Sequence, residues 1–213
     1  LKSIVRQFGC QESDISAYRI VRKSIDARKG VKFNVRLQVA MNGDDLPDLY
    51  GNFVFRDVSA CRPVTIIGAG PAGYFAALQC ILSGLKPVVF ERGKSVDERK
   101  YDIAALNSSG VLNPESNYAF GEGGAGTYSD GKLFTRSKKR GNVTEVLQLL
   151  HYFGADEDVL FEAHPHIGTD RLHSIMRNIR NKIIDCGGEI HFSSKLTGIK
   201  VVADRINSIV ING

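Results

Sequence analysis

Val64-Thr65-Ile66-Ile67-Gly68-Ala69-Gly70-Pro71-Ala72-Gly73 is the stretch on which the fold turns. Its first four residues form an apolar, largely β-branched run, as expected of a strand buried on both faces of a parallel sheet. The glycine-rich turn follows at once, and Tyr74 to Ser83 is apolar enough for a helix packed on that sheet. Gly84 suits the helix C-cap, and Pro87-Val88-Val89-Phe90-Glu91 reads as a second strand. A bare G-x-G-x-x-G is weak evidence, because glycine turns are common in loops. Here it follows a buried strand, opens an apolar helix and is succeeded by an acidic residue, Glu91, closing the next strand, the context a dinucleotide fold requires. In that reading Gly68 permits the tight turn, Gly70 lets the backbone approach a pyrophosphate, and Gly73 allows close helix–strand contact. The N–H groups and positive end of the helix face the phosphates. Glu91 would accept hydrogen bonds from ribose hydroxyls. It disfavours NADP, whose 2′-phosphate would meet a carboxylate, although Arg92 stands next to it.

Outward from this unit, residues 1–60 read as a small α+β domain and 61–213 as the dinucleotide-binding domain. Lys2 to Phe8 is a short helix, and Ala17 to Ser24 and Val31 to Met41 are strand-like, the second alternating apolar and polar residues. Cys61-Arg62-Pro63 marks the boundary. Val143 to Phe153 predicts a helix. So does Asp170 to Cys186, where Leu172, Ile175, Met176, Ile179 and Ile183 form one stripe, with Thr169 as N-cap. Glu189 to Ser193 then reads as a third parallel strand, and Leu196 to Val202 with Arg205 to Ile211 as a hairpin around Ala203-Asp204.

Composition excludes several classes. At 213 residues, 43 % hydrophobic and 24 % charged, the chain is that of an ordinary globular protein rather than a disordered one. No apolar run reaches the roughly 18 residues needed to cross a bilayer, so no membrane partner is expected. The four cysteines, Cys10, Cys61, Cys80 and Cys186, lie far apart without metal spacing. They fit reduced thiols in a cytoplasmic protein and no metal site. A net charge of +5 is too diffuse to imply a nucleic-acid partner. Of 22 glycines, five fall between Gly121 and Gly131, which directs attention to that segment.

The segment runs Asn117-Tyr118-Ala119-Phe120-Gly121-Glu122-Gly123-Gly124-Ala125-Gly126-Thr127-Tyr128-Ser129-Asp130-Gly131-Lys132-Leu133. Small residues there could admit a flat cofactor against the backbone, with Thr127 and Ser129 supplying hydroxyls. A flexible linker would be richer in Ser and Pro. At Glu91-Arg92-Gly93 the chain resembles glutathione-reductase-like FAD flavoproteins. With Ser24-Ile25-Asp26-Ala27-Arg28, the Gly68 turn, the Phe120 to Leu133 block and His164-Pro165-His166-Ile167-Gly168-Thr169-Asp170, it resembles the bacterial FAD-dependent dehydrogenases of the NAD(FAD)-utilizing type over nearly its whole length. The resemblance implies an α/β, Rossmann-like FAD-binding domain with a parallel sheet and β-meander, preceded by the small α+β domain. It further implies that Gly68, Gly70, Pro71, Ala72 and Gly73 cradle the pyrophosphate of FAD. Glu91 and Arg92 would face the adenosine end, Leu196 would offer its backbone to the adenine, and Gly123, Gly124, Ala125, Gly126 and Thr127 would lie toward the ribityl–isoalloxazine side. Members carry a substrate domain and a closing strand with a ribityl contact that this sequence lacks, so the chain reads as an N-terminal portion, incomplete at the C-terminus.

The expected function is a FAD-dependent oxidoreductase of dehydrogenase type, with NAD(P)H as a possible electron donor and a small-molecule substrate of undefined identity. The alternative is a non-catalytic dinucleotide-fold binding protein. No catalytic residue stands out. Glu122 and Asp130 are candidate acid–base groups, although both could cap turns. Arg99 could reach the phosphates or be a solvated charge on a polar helix. His164 and His166 read as a loop that positions a helix, and His151 and His191 as packed or exposed residues. Cys80 reads as core, and no cysteine pair supports a disulfide reductase. The basic stretch Lys132, Arg136, Lys138, Lys139 and Arg140 reads as a solvated loop in the absence of interleaved aromatics.

Overall fold

The computed structural model describes residues 1–135 and 141–213. In chain order its main elements are α1 (Lys2–Phe8), β1 (Ile15–Asp26), β2 (Lys32–Met41), β3 (Pro63–Ile67), α2 (Pro71–Leu82), β4 (Lys86–Phe90), α3 (Val96–Ser109), α4 (Val143–Tyr152), α5 (Thr169–Asp185), β5 (Glu189–His191), β6 (Leu196–Val202) and β7 (Arg205–Ile211). Contacts divide the chain into two compact units. One comprises Leu1–Gly51 with Lys132–His166, the other Asn52–Gly131 with Ile167–Gly213. Arg136, Lys138, Lys139 and Arg140 of the basic stretch lie outside the described residues.

In the first unit, β1 and β2 form an antiparallel hairpin with Ile25 opposite Phe33 and Tyr18 opposite Val39. Phe161 and Ala163 join it through backbone pairing: the Lys23 N–H donates to the Phe161 carbonyl at 2.8 Å, and the Ala163 N–H to the Lys23 carbonyl at 2.9 Å. The Lys23–Glu162 ion pair at 2.8 Å reinforces this. Chain order groups these residues with the dinucleotide unit; their backbone hydrogen bonds to Lys23 tie residues 161–163 to β1. Asn142 caps α4 by accepting from the Glu145 N–H at 3.2 Å. His151 stacks on Tyr50 and donates to the Ala155 carbonyl, and His164 packs on Phe134.

The second unit is mixed α/β around a three-stranded parallel sheet of order β3-β4-β5. Its register runs Val64 opposite Pro87 and Ile67 opposite Phe90, then Phe90 opposite His191. Tyr74, Ala77, Leu78 and Ile81 of α2 are buried, as is Val89 of β4. The apolar stripe of α5 (Leu172, Ile175, Met176, Ile179 and Ile183) is buried as its spacing predicts. Each fully buried Leu or Ile contributes about 1.5–3 kcal/mol, so these faces hold the layers together. The stretch ahead of the sheet belongs here too, since the Val58 N–H donates to the Cys186 carbonyl at 2.8 Å.

Two local details differ from the pattern-based expectation. The helix α5 begins at Thr169 with Gly168 in the capping position, and the Thr169 hydroxyl donates to the Ser129 carbonyl at 2.8 Å. The Thr side chain is thus spent on the glycine block rather than on its own helix. The strand β5 ends at His191, because Ser193 adopts a left-handed conformation (φ 51°) that turns the chain across the end of β4. Beyond it β6 and β7 form a separate hairpin, with Ala203 and Asp204 both at positive φ, as a tight two-residue turn requires. No helix among the described residues is long and apolar enough to cross a membrane.

Candidate functional site

Three segments of the second unit meet at the carboxyl ends of β3 and β4. Gly68, at φ +96°, turns the chain out of β3, and its N–H donates to the Phe90 carbonyl at 2.8 Å. Helix α2 then starts at Pro71, whose missing N–H costs nothing at that position. A Cβ on Gly73 would lie 1.9 Å from the Gly68 carbonyl oxygen, so the helix sits on the turn at a distance only glycine allows. A Cβ on Gly70 would meet nothing within 4 Å. Gly70 therefore presents bare backbone to open space at the positive end of a helix, the geometry of an anion cradle.

Glu91 is buried, at 6 % exposure, and its carboxylate accepts three backbone N–H groups. One oxygen takes Ala69 of the turn at 2.8 Å; the other takes Gly93 at 2.8 Å and Gly121 of the glycine block at 3.0 Å. The residue thus staples the turn to the block, and the Gly123 N–H adds a second link by donating to the Ala69 carbonyl at 2.8 Å. A carboxylate oxygen accepts about two hydrogen bonds, so the oxygen held by Ala69 alone keeps capacity for a ligand hydroxyl.

The block itself is organised by Arg99 of α3, which is fully buried. Its guanidinium donates to the carbonyls of Asn117 (2.8 Å), Tyr118 (3.0 Å), Glu122 (2.7 Å) and Gly124 (2.9 Å), and it lies 4.9 Å over the Tyr128 ring. Burial pushes its pKa down against the Coulombic pull of Tyr128, Glu91 and Glu122, while the four carbonyls take up its N–H groups. Arg99 is neither solvated nor aimed at a phosphate. Gly121 is glycine because a Cβ there would meet Arg99 Cδ at 2.5 Å, at a φ of +118°.

Glu122 is also fully buried. It accepts from the Tyr74 hydroxyl (2.6 Å), the Val96 N–H (2.7 Å) and Arg180 (2.7 Å). Arg180 in turn pairs with Asp97 at 2.7 Å, and Asp97 also pairs with Arg177. Burial pushes the Glu122 carboxyl up against the pull of Tyr74, Val96 and Arg180. The arginines hold Asp97 down at about 2, Arg177 contributing most. Glu122 is therefore a brace between α2, α3 and α5, and the acid–base role considered for it has no access to solvent. Thr127, 2 % exposed, donates to the Glu122 carbonyl at 3.2 Å. A Cβ on Gly123 would lie 1.8 Å from the Thr127 hydroxyl oxygen, so this pair packs inside the block.

A groove of about 390 Å³ opens where these segments meet. Gly68, Gly70, Glu91, Arg92, Gly124 and Leu196 line it, together with Ile67, Phe90, Ala119, Phe120, Gly121, Ser194 and Lys195. Leu196 arrives because the Ser194 N–H donates to the Glu91 carbonyl at 2.8 Å and the Ser193 N–H to the Gly93 carbonyl at 2.9 Å. Arg92 stacks over Phe120 at 3.9 Å and pairs with Glu115 at 2.6 Å. Pro71, Ala72 and Gly73 form the first turn of α2 beside the groove, Ala125 and Gly126 are exposed outside its lining, and Gly123 and Thr127 lie beneath it. Chain pattern did not single out Arg180 or Lys195, since no spacing rule links them to the turn, and it gave no hint that Arg99 braces the block or that Phe120 stacks under Arg92. Among the described residues no group of three or more His, Cys, Asp or Glu could hold a metal ion.

A family model described as a domain of unknown function (DUF8436) matches residues 1–40. An uncharacterized protein of Clostridium beijerinckii is 38 % identical over 229 residues, covering 100 % of this chain and 43 % of that protein. The chain thus spans less than half the length of this curated relative. The crystal structure of FqzB is similar at a TM-score of 0.35 and 16 % identity, covering 74 % of this chain and 34 % of that one, a likeness too slight to carry an argument.

Proposed function

We propose that this chain is the dinucleotide-binding portion of a FAD-dependent oxidoreductase of the dehydrogenase type. The observation that carries this reading is the convergence of the Gly68–Gly73 turn, Glu91, Gly124 and Leu196 on one groove at the carboxyl ends of parallel strands. That is where ligands bind in open α/β sheets. The cradle fits a pyrophosphate: Gly70 has open space where a side chain would stand, and the first-turn N–H groups of Ala72 and Gly73 point along the helix axis without helical acceptors. Glu91 would hold the adenosine ribose through its less-used oxygen, Leu196 would offer backbone to the adenine, and Arg92 would close that end. Gly124, whose would-be Cβ stands 3.5 Å from Gly70 Cα, would mark where the flavin side of the cofactor begins. A groove of about 390 Å³ is at the lower part of the range for small-molecule sites and suits the adenosine diphosphate half better than the whole cofactor.

Bound FAD would supply the hydride chemistry, with NAD(P)H as donor and a small-molecule substrate, while this chain's residues bind and orient it. Cytoplasmic residence and membership of the FAD-dependent dehydrogenases belong to the same proposal. The test has two parts. Denaturing the protein purified from its natural source should release a flavin identifiable by its absorbance. Titrating this chain with ADP should show binding that Gly70→Glu removes. Absence of flavin from the one and of ADP binding from the other would overturn the reading.

A further inference from the structure

Beside the groove, and sharing Arg92 and Lys195 with it, lies a second cavity of about 430 Å³. Three cations reach it: Arg92, Lys94 and Lys195. Two carboxylates answer them. Glu115 takes both Arg92 at 2.6 Å and Lys195 at 2.7 Å, and Asp102 takes Lys94 at 2.9 Å. One positive charge is left over, and it sits on the two side chains that divide a single carboxylate. An ammonium has three N–H donors and a guanidinium five, so these pairs leave most of the donors unspent. The Arg92 and Lys195 side chains are 32 % and 43 % exposed, within reach of a solute.

We propose that this cavity binds a phosphoryl group, recognised by Arg92 and Lys195 with Lys94 behind them. The planar fork of Arg beside the point charge of Lys is the donor set that phosphate oxygens select. Glu115 occupies those cations when no anion is present, so binding sets the phosphoryl oxygens in competition with one carboxylate. Arg92 and Lys195 also line the groove, so a ligand bound there would meet the same cations. The same chemistry has two sources: a phosphate on the ribose of an adenine nucleotide lying in the groove, or a free phosphorylated solute.

Calorimetry of the full chain at low ionic strength separates them. Inorganic phosphate should bind at one site, lose affinity roughly tenfold or more in Lys195→Met, and gain by a similar factor in Glu115→Gln, which removes the competing charge. Both positions are partly exposed, so circular dichroism should report an unchanged fold. If 2′,5′-ADP binds about tenfold more tightly than ADP, the phosphate belongs to a 2′-phosphorylated nucleotide, which FAD is not, and the FAD reading of the groove falls while this site stands; if the two bind alike while inorganic phosphate binds, it belongs to a separate solute. Phosphate binding with neither ADP binding nor a released flavin would leave this site standing and remove the dinucleotide reading. Failure of both inorganic phosphate and the ribose phosphate to bind preferentially, or indifference of that binding to Lys195→Met and Glu115→Gln, overturns the proposal.

Discussion

Glu91 Oε1 accepts the Gly121 N–H at 3.0 Å across 30 residues of chain, while the other oxygen of the same carboxylate holds Ala69 at 2.8 Å. One side chain at the end of β4 thereby sets the spacing between the phosphate turn and the glycine block. The carboxylate that would meet a ribose is already part of the scaffold, which makes fold and ligand affinity inseparable at this residue.

Glu91→Ala should accordingly do two things. Three backbone N–H groups in a buried position lose their acceptor, which costs about 2–3 kcal/mol of stability after partial rehydration. Affinity for ADP or FAD should fall by roughly 1–3 kcal/mol. Urea unfolding and nucleotide titration measure the two losses, and a variant of wild-type stability would deny the residue its structural role.

The two ends of the phosphate turn should respond oppositely to substitution. Gly70→Glu projects into open space and should leave the melting temperature nearly unchanged while eliminating nucleotide binding. Gly73→Ala drives a methyl onto the Gly68 carbonyl and should cost about 3 kcal/mol, the upper part of the usual range for overpacking. Thermal melts of both variants, with ADP titration of Gly70→Glu, distinguish the roles.

Replacing Arg99 tests whether the glycine block depends on it. Arg99→Met leaves four carbonyls without their donor and should destabilise the unit by about 3 kcal/mol or more. Arg99→Lys keeps the charge but not the fork and should recover only part of that. Amide exchange should show the loss concentrated in residues 117–124. Uniform exchange behaviour in the variants would show that the block holds itself.

Acid stability should depend on Asp97. Its ion pairs hold its folded pKa at about 2, below the usual 3.8. A depressed carboxylate pKa contributes stability above the unfolded value, and that contribution is lost as pH falls through the folded one. Stability should therefore decline between about pH 4 and pH 2 through this group, and Asp97→Asn should flatten that part of the profile. Glu122, raised by burial, acts in the opposite direction and shares Arg180 with Asp97, so the difference between wild type and Asp97→Asn reports Asp97 together with its coupling to Glu122. Identical acid profiles for the two proteins would contradict the assignment.

From the sequence alone, the β3–α2–β4 unit, the stripe on α5 and the β6–β7 hairpin can be read, because each rests on periodicities and turn preferences that act within a dozen or so residues. The turn glycines and Glu91 are legible for the same reason. What the charged residues do was decided by tertiary structure. Arg99 and Glu122 look like surface groups or acid–base candidates in the chain, yet both are fully buried, each satisfied by partners 18 to 58 residues away. A buried charge persists only where folded backbone dipoles and opposite charges converge on it, and no local pattern records that convergence. The same holds for residues 161–163, whose place beside β1 depends on hydrogen bonds at Lys23 that only the folded chain forms.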